Sequence, residues 1–117
     1  MKFEIKRIYE EVDKKDEMRI LVDRLWPRGI KKEDAKIDMW LKDIAPSSEL
    51  RKWFNHRPEK WAEFCERYHK ELASKQEIIK NLLEVVKKHD VTLLYAAKDQ
   101  KFNNAAALKT YLEHFGS

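Results

Sequence analysis

Two apolar stretches of the sequence each end in a pair of charged side chains. Three apolar residues lead into Asp23 and Arg24, and five largely apolar residues lead into Lys98 and Asp99. A carboxylate can act as a general base, a guanidinium can bind phosphate or carboxylate through two parallel hydrogen bonds, and a desolvated lysine can lose its proton. We therefore predict catalytic roles for Asp23, Lys98 and Asp99, and ligand binding by Arg24.

Four further residues complete the candidate ligand site. Arg28 supplies a second guanidinium, and Trp26 is expected to wall the same corner of the chain with its apolar ring. Asn103 or Asn104 is predicted to cap the last helix, whose free backbone N–H groups favour an anion. The histidines show no ligand spacing, so we predict no metal site, and no motif identifies a cofactor. These residue types predict a small ligand that carries phosphate or carboxylate.

The two charged pairs meet only if the strands before them are parallel neighbours. A strand over about 18–25 and a strand over 91–97 are separated by an all-helical connection, which favours a parallel pair joined by a crossover. Both carboxyl ends then lie at one edge of the sheet, where open α/β sheets bind their ligands.

The remaining patterns predict a small α/β fold in a single domain, residues 1–117. Residues 3–9 resemble a first strand, and the connection after it is too short for a parallel crossover, so this strand is either antiparallel to the second or only loosely adjacent to it. Apolar spacing and capping residues predict helices over 32–44, 49–54, from Pro58 through Leu72, over 76–88, and from Asn103 or Asn104 onward. We expect a sheet of about three strands, two of them parallel, packed by about five helices.

Composition restricts the setting in which the protein acts. One cysteine among 117 residues permits no intrachain disulfide and suits a reducing compartment. No apolar run is long enough to cross a bilayer, and the first residues lack the apolar core of a signal peptide. These features predict a cytoplasmic protein without a membrane partner, and they do not decide its oligomeric state.

Alternatives to a ligand site remain open at this stage. The four charges Asp23, Arg24, Lys98 and Asp99 can instead neutralise one another in a partly buried ion network. A net charge of +4 suggests a nucleic-acid-associated or regulatory protein, but basic and acidic residues are mixed along the whole chain, so we rank this function low. A protein-interaction module without catalysis, docking through the region of Trp53, is the third candidate.

Several segments together resemble the YeaO-like branch of domain-of-unknown-function family 488. They are VDRLWPRG at 22–29, WLK at 40–42, APS at 45–47, ELRK at 49–52 and LYAAKD at 94–99. The resemblance covers essentially the whole chain and implies a small cytoplasmic α/β protein, without naming a reaction. Relatives often carry a histidine where this chain has Asn104, a departure that argues against acid–base chemistry at the start of the last helix.

Overall fold

A short, largely apolar run at 91–95 forms the central strand of the protein, and both of its faces are covered. The computed structural model describes residues 2–115. The strands are β1 (Phe3–Arg7), β2 (Met18–Leu21), β3 (Met39–Trp40) and β4 (Val91–Tyr95). The α-helices are α1 (Lys32–Ala35), α2 (Ser48–Phe54), α3 (Trp61–Ala73), α4 (Gln76–Val86) and α5 (Asn104–Phe115), with 3₁₀ turns at Lys14–Asp16, Lys42–Ile44 and Pro58–Lys60.

The four strands form one parallel sheet in the order β1-β4-β2-β3. Strand β4 is central, with Leu93 opposite Ile5 on one side and Ile20 on the other, and all its residues are buried. The predicted α/β class is confirmed, and so is the parallel pairing of β2 with β4.

The antiparallel alternative for the first strand is wrong. β1 pairs in parallel with β4, and it lies on the opposite side of β4 from β2. A connection without a helix suffices because the strands are short. Five residues of strand span about 16 Å, whereas the ten residues between β1 and β2 can reach about 33 Å.

The predicted helix over 32–44 is also wrong, because it is divided into α1, β3 and a 3₁₀ turn. Lys36 takes a left-handed conformation, with a φ of 46°, and ends α1. The backbone N–H of Asp38 then donates to the carbonyl of Arg19 at 2.7 Å, which places β3 beside β2. Trp40 packs on one face of the sheet and Ile44 on the other, and a single helical stripe cannot reach both faces.

Helices α2, α3, α4 and α5 cover one face of the sheet. Tyr68 and Leu108 belong to the core on this face, together with Ile20 and Leu93 from the strands. A smaller cluster on the opposite face contains Leu21, Leu94 and Ala35 of α1, with Trp26 and Trp40 packed against it. The chain therefore leaves β2 toward one face and β4 toward the other. No helix within residues 2–115 has both the length and the apolar character needed to span a membrane.

Candidate functional site

Asp23 joins the carboxyl ends of β2 and β4 to the start of α5. Its Oδ2 accepts a hydrogen bond from the backbone N–H of Ala96 at 2.9 Å, and its Oδ1 accepts one from Nδ2 of Asn104 at 3.0 Å. The same Asn104 nitrogen also donates to the carbonyl of Val22 at 3.2 Å. Because the chain departs to opposite faces after these two strands, the crevice between them is a topological switch point, the usual place for a ligand in an open α/β sheet.

Burial raises the pKa of the Asp23 carboxyl above its ordinary value. Hydrogen bonds from Asn104 and Ala96 and the charge of Arg51 act in the opposite direction, but they do not cancel the effect of burial. Within residues 2–115, none of the ion pairs includes Asp23. The carboxyl is therefore held by N–H donors rather than by a cation.

A cavity of about 460 Å³ opens beside Asp23. It lies between the segments that follow β2 and β4, one side of α2, and the start of α5. Its lining comprises 23–25, 45–46, 48, 51–52, 54–56, 64, 96–97 and 102–104. A volume of this size lies in the range of about 300–1,000 Å³ that is typical of small-molecule pockets.

Helix α2 presents a polar face to this cavity. Ser48, Arg51, Lys52 and Asn55 recur at the i, i+3, i+4 and i+7 spacing that places side chains on one side of a helix, and all four line the cavity from its exposed rim. The helix begins at a serine cap, since the hydroxyl of Ser47 accepts from the N–H of Leu50 at 3.2 Å. Arg51 and Lys52 thus face the strand ends from across the cavity.

The end of α2 carries two consecutive residues in left-handed conformation. Asn55 has a φ of 46° and His56 a φ of 55°. Asparagine tolerates this region, but histidine there is uncommon and costs conformational energy. Both residues line the cavity. Hydrogen bonds from the backbone N–H groups of Phe102 and Lys101 lower the pKa of Asp99, and electrostatic interaction with His56 lowers it further.

Arg24 lines the cavity, and the structure fixes its guanidinium from one side. Its Nη2 donates to the carbonyl of Ala45 at 3.3 Å, while its Nε is buried and has no hydrogen-bond partner among the described residues. Lys75 donates to the same carbonyl at 3.3 Å. Burial lowers the pKa of Lys75, and the nearby charge of Arg24 adds to this effect against the opposing charges of Glu71 and Asp43. A buried N–H without an acceptor is costly, so the fold holds the guanidinium of Arg24 in this position at a cost in stability.

The two asparagines predicted to bind a ligand lie at the cavity and also organise the start of α5. Asn103 caps the helix, because its Oδ1 accepts from the N–H of Ala106 at 2.8 Å. Its Nδ2 donates to the carbonyl of Asp99 at 3.0 Å. Asp23, Arg24, Asn103 and Asn104 are thus the predicted site residues that the structure brings together.

The other four predicted site residues lie outside the cavity lining. Lys98 is exposed, and the carboxylate of Asp99 accepts from the backbone N–H groups of the turn before α5, at 2.9 and 3.0 Å. Trp26 donates to the carbonyl of Ile30 at 2.7 Å, and Arg28 is exposed. Their predicted roles stay predictions, and within residues 2–115 the ion pairs include neither Lys98 nor Asp99.

Sequence reasoning missed the contribution of α2 and the residues that follow it, namely Ser48, Arg51, Lys52, Asn55 and His56. The helical spacing of the four polar residues was the available signal. Trp53 is the candidate docking residue, and two cationic side chains pack over its ring. The guanidinium of Arg67 is 4.3 Å from its ring centroid, and the ammonium of Lys60 is 4.8 Å away.

Comparisons with known proteins match nearly the whole chain. The family model described as "Inactive DUF488-N3 subclade" matches residues 2–115. The chain belongs to the DUF488 family. It is 46% identical over 112 residues to "Uncharacterized protein YeaO" of Escherichia coli K12, covering 96% of this chain and 97% of that protein. It is 40% identical over 108 residues to "Uncharacterized protein Rv3073c" of Mycobacterium tuberculosis H37Rv, covering 92% of this chain and 91% of that protein. No solved structure matches the chain. The resemblance to the YeaO-like branch is confirmed.

Proposed function

We propose that this DUF488 protein binds a small anionic molecule, carrying phosphate or carboxylate, in the cavity at the carboxyl ends of β2 and β4. The observation that carries the proposal is that two guanidinium groups, those of Arg24 and Arg51, line this cavity together. An anionic oxygen is the acceptor that a guanidinium binds most strongly.

The charges around the cavity favour an anion over a cation. Arg24, Arg51 and Lys52 are cationic at neutral pH, and Asp23 is the one carboxylate in the lining. Burial raises the pKa of that carboxyl, and both of its oxygens already accept hydrogen bonds. The lining therefore carries a net positive charge, which attracts an anionic ligand.

Binding without catalysis is the form of the proposal that we favour. The carboxylate of Asp23 accepts hydrogen bonds from Ala96 and Asn104, and these bonds give it a structural role that needs no substrate. The subclade to which the chain is matched is described as inactive, which supports the same choice.

Calorimetric titration with inorganic phosphate and with acetate, at constant ionic strength, tests the proposal. We expect saturable phosphate binding to the wild type and at least tenfold weaker binding to Arg24→Gln and Arg51→Gln, because a hydrogen bond to a charged group contributes about 1.5–3 kcal/mol. Arg57→Gln is the matched control, since Arg57 is exposed and outside the cavity lining.

Thermal unfolding gives a second measure of the same event. Phosphate stabilises many proteins by exclusion from their surfaces, so the informative quantity is the difference between Arg24→Gln and Arg57→Gln in the same buffer. Equal stabilisation of both variants, together with no calorimetric binding, would overturn the proposal.

A further inference from the structure

The cavity has an aromatic wall that an inorganic anion does not use. Phe54, Phe64 and Phe102 line it, and their rings are packed into one cluster. The centroids of Phe54 and Phe64 are 4.6 Å apart, and Trp61 lies 5.5 Å from Phe64 and 5.3 Å from Phe102. The wall is thus built from α2, α3 and the segment before α5.

Phe102 is the member of this wall that remains half-buried, whereas Phe54 and Phe64 are buried in the core. Its backbone is fixed, because its N–H donates to the carboxylate of Asp99 at 3.0 Å and the next residue, Asn103, caps α5. The ring of Phe102 is therefore held at the cavity by the start of a helix, and it offers apolar surface to an occupant.

We propose that the ligand is an aromatic acid, with a phosphate or carboxylate group carried on a planar ring. Its anionic group binds Arg24 and Arg51, and its ring packs against Phe102. This inference rests on the function proposed above and adds the body of the ligand to it. The cavity volume of about 460 Å³ supports a whole small molecule, since that volume is typical of pockets that bind one.

Phenyl phosphate and methyl phosphate distinguish the two parts of this proposal, because they carry the same anionic group on different bodies. For the wild type we expect phenyl phosphate to bind about tenfold more tightly than methyl phosphate in calorimetric titration. In Phe102→Ala we expect the ratio to fall to about one, with the affinity for methyl phosphate unchanged. Tyr9→Ala, which removes an exposed aromatic ring outside the cavity, should keep the wild-type ratio.

Each result has a distinct meaning. Equal binding of the two esters by the wild type overturns the aromatic body and leaves the anion site standing. Binding of neither ester overturns both proposals. If Phe102→Ala fails to fold, Phe102→Leu retains an apolar side chain without the ring, and an undiminished ratio in that variant overturns the role of Phe102.

Discussion

Two buried carboxylates in this protein have opposite electrostatic surroundings. Burial acts to raise the pKa of Asp16, but hydrogen bonds from the backbone of Asp13 and from Lys6 and Arg19 outweigh it, so the pKa of Asp16 is lowered. Among the described residues, no comparable cation hydrogen-bonds to Asp23, and burial raises its pKa. The two groups should therefore affect stability with opposite dependence on pH.

We expect Asp23→Asn to lower the free energy of unfolding, and we expect this loss to become smaller as the pH rises. A raised pKa means that the folded protein holds this proton more tightly than the unfolded chain does. The resulting contribution is fully present below the ordinary value of 3.8 and is lost as the pH rises through the raised pKa. Urea unfolding of the wild type and the variant, measured at a series of pH values from about 3.5 to 7, checks this direction.

Asp16→Asn is the matched variant, and its effect on stability should change with pH in the opposite direction. Its lowered pKa gives a contribution that is present above 3.8 and is lost as the pH falls through the lowered value. Near neutral pH we expect a loss of about 3 kcal/mol, because the guanidinium of Arg19 is left buried without its partner. Parallel pH profiles for the two variants would contradict the assignment of their surroundings.

At the residue scale, the sequence located one side of the site and missed the other. Asp23 and Arg24 were predictable because charges directly after a buried strand are exceptional. Lys98 and Asp99 follow β4 by three residues or more, and the chain has turned to the surface there. The direction in which Arg51 faces could not be predicted, since it depends on how α2 packs against distant strands.

At the scale of elements, α2 depends on its neighbours for its position. A helix of seven residues is too short to be stable alone in water. Glu71 of α3 accepts from the backbone N–H of Ser47 at 2.9 Å and from its hydroxyl at 2.6 Å, and that hydroxyl in turn caps α2. This connection sets the helix that carries Arg51 and Lys52 against the cavity.

We therefore expect Ser47→Ala to lower the free energy of unfolding by about 1 kcal/mol and to weaken phosphate binding as well. Loss of the hydroxyl removes the cap and one of two bonds to Glu71. Chemical denaturation and calorimetric titration measure the two effects. Ser74→Ala is the control, because Ser74 is an exposed serine whose hydroxyl donates to the carbonyl of Glu71 at 2.7 Å. Unchanged phosphate affinity in Ser47→Ala would contradict a role of α2 in the candidate site.

Helices were predicted correctly where one face of the segment packs against the core, and the helix over 32–44 was predicted wrongly because that segment packs on both faces of the sheet. The stripes of α3 and α4 each point to one core, so their period of 3.6 residues was sufficient. In 32–44 the apolar residues are divided between two cores on opposite faces of the sheet. Short apolar runs do not reveal such a division, because strand and helix spacing overlap within them.

At the scale of the whole molecule, β4 holds the sheet together. It pairs with β1 along five residues and with β2 along four, and all its side chains are buried. By contrast, β3 has two residues and α1 has four, and both lie toward one edge of the sheet. Local stability should therefore fall from the centre of the sheet toward that edge.

Native-state hydrogen exchange measures this gradient directly. We expect the amides of β4 to exchange last, through global unfolding alone, and those of α1 and β3 to exchange first through local opening. Leu93→Ala should reduce the protection of the β4 amides by about 3 kcal/mol, since it removes a fully buried side chain from the central strand, and it should change the locally opening amides of β3 less. Exchange of β4 before β3 would contradict this order.

The late position of the central strand affects how the protein is made. On the ribosome, β2 emerges nearly seventy residues before β4, the strand that lies between it and β1, and β1 emerges earlier still. At about 5–20 residues per second, the nascent chain carries these apolar segments without their main partner for on the order of ten seconds. The sheet and the crevice at its edge can assemble only after β4 has been synthesised, so molecular chaperones have that interval in which to bind the growing polypeptide.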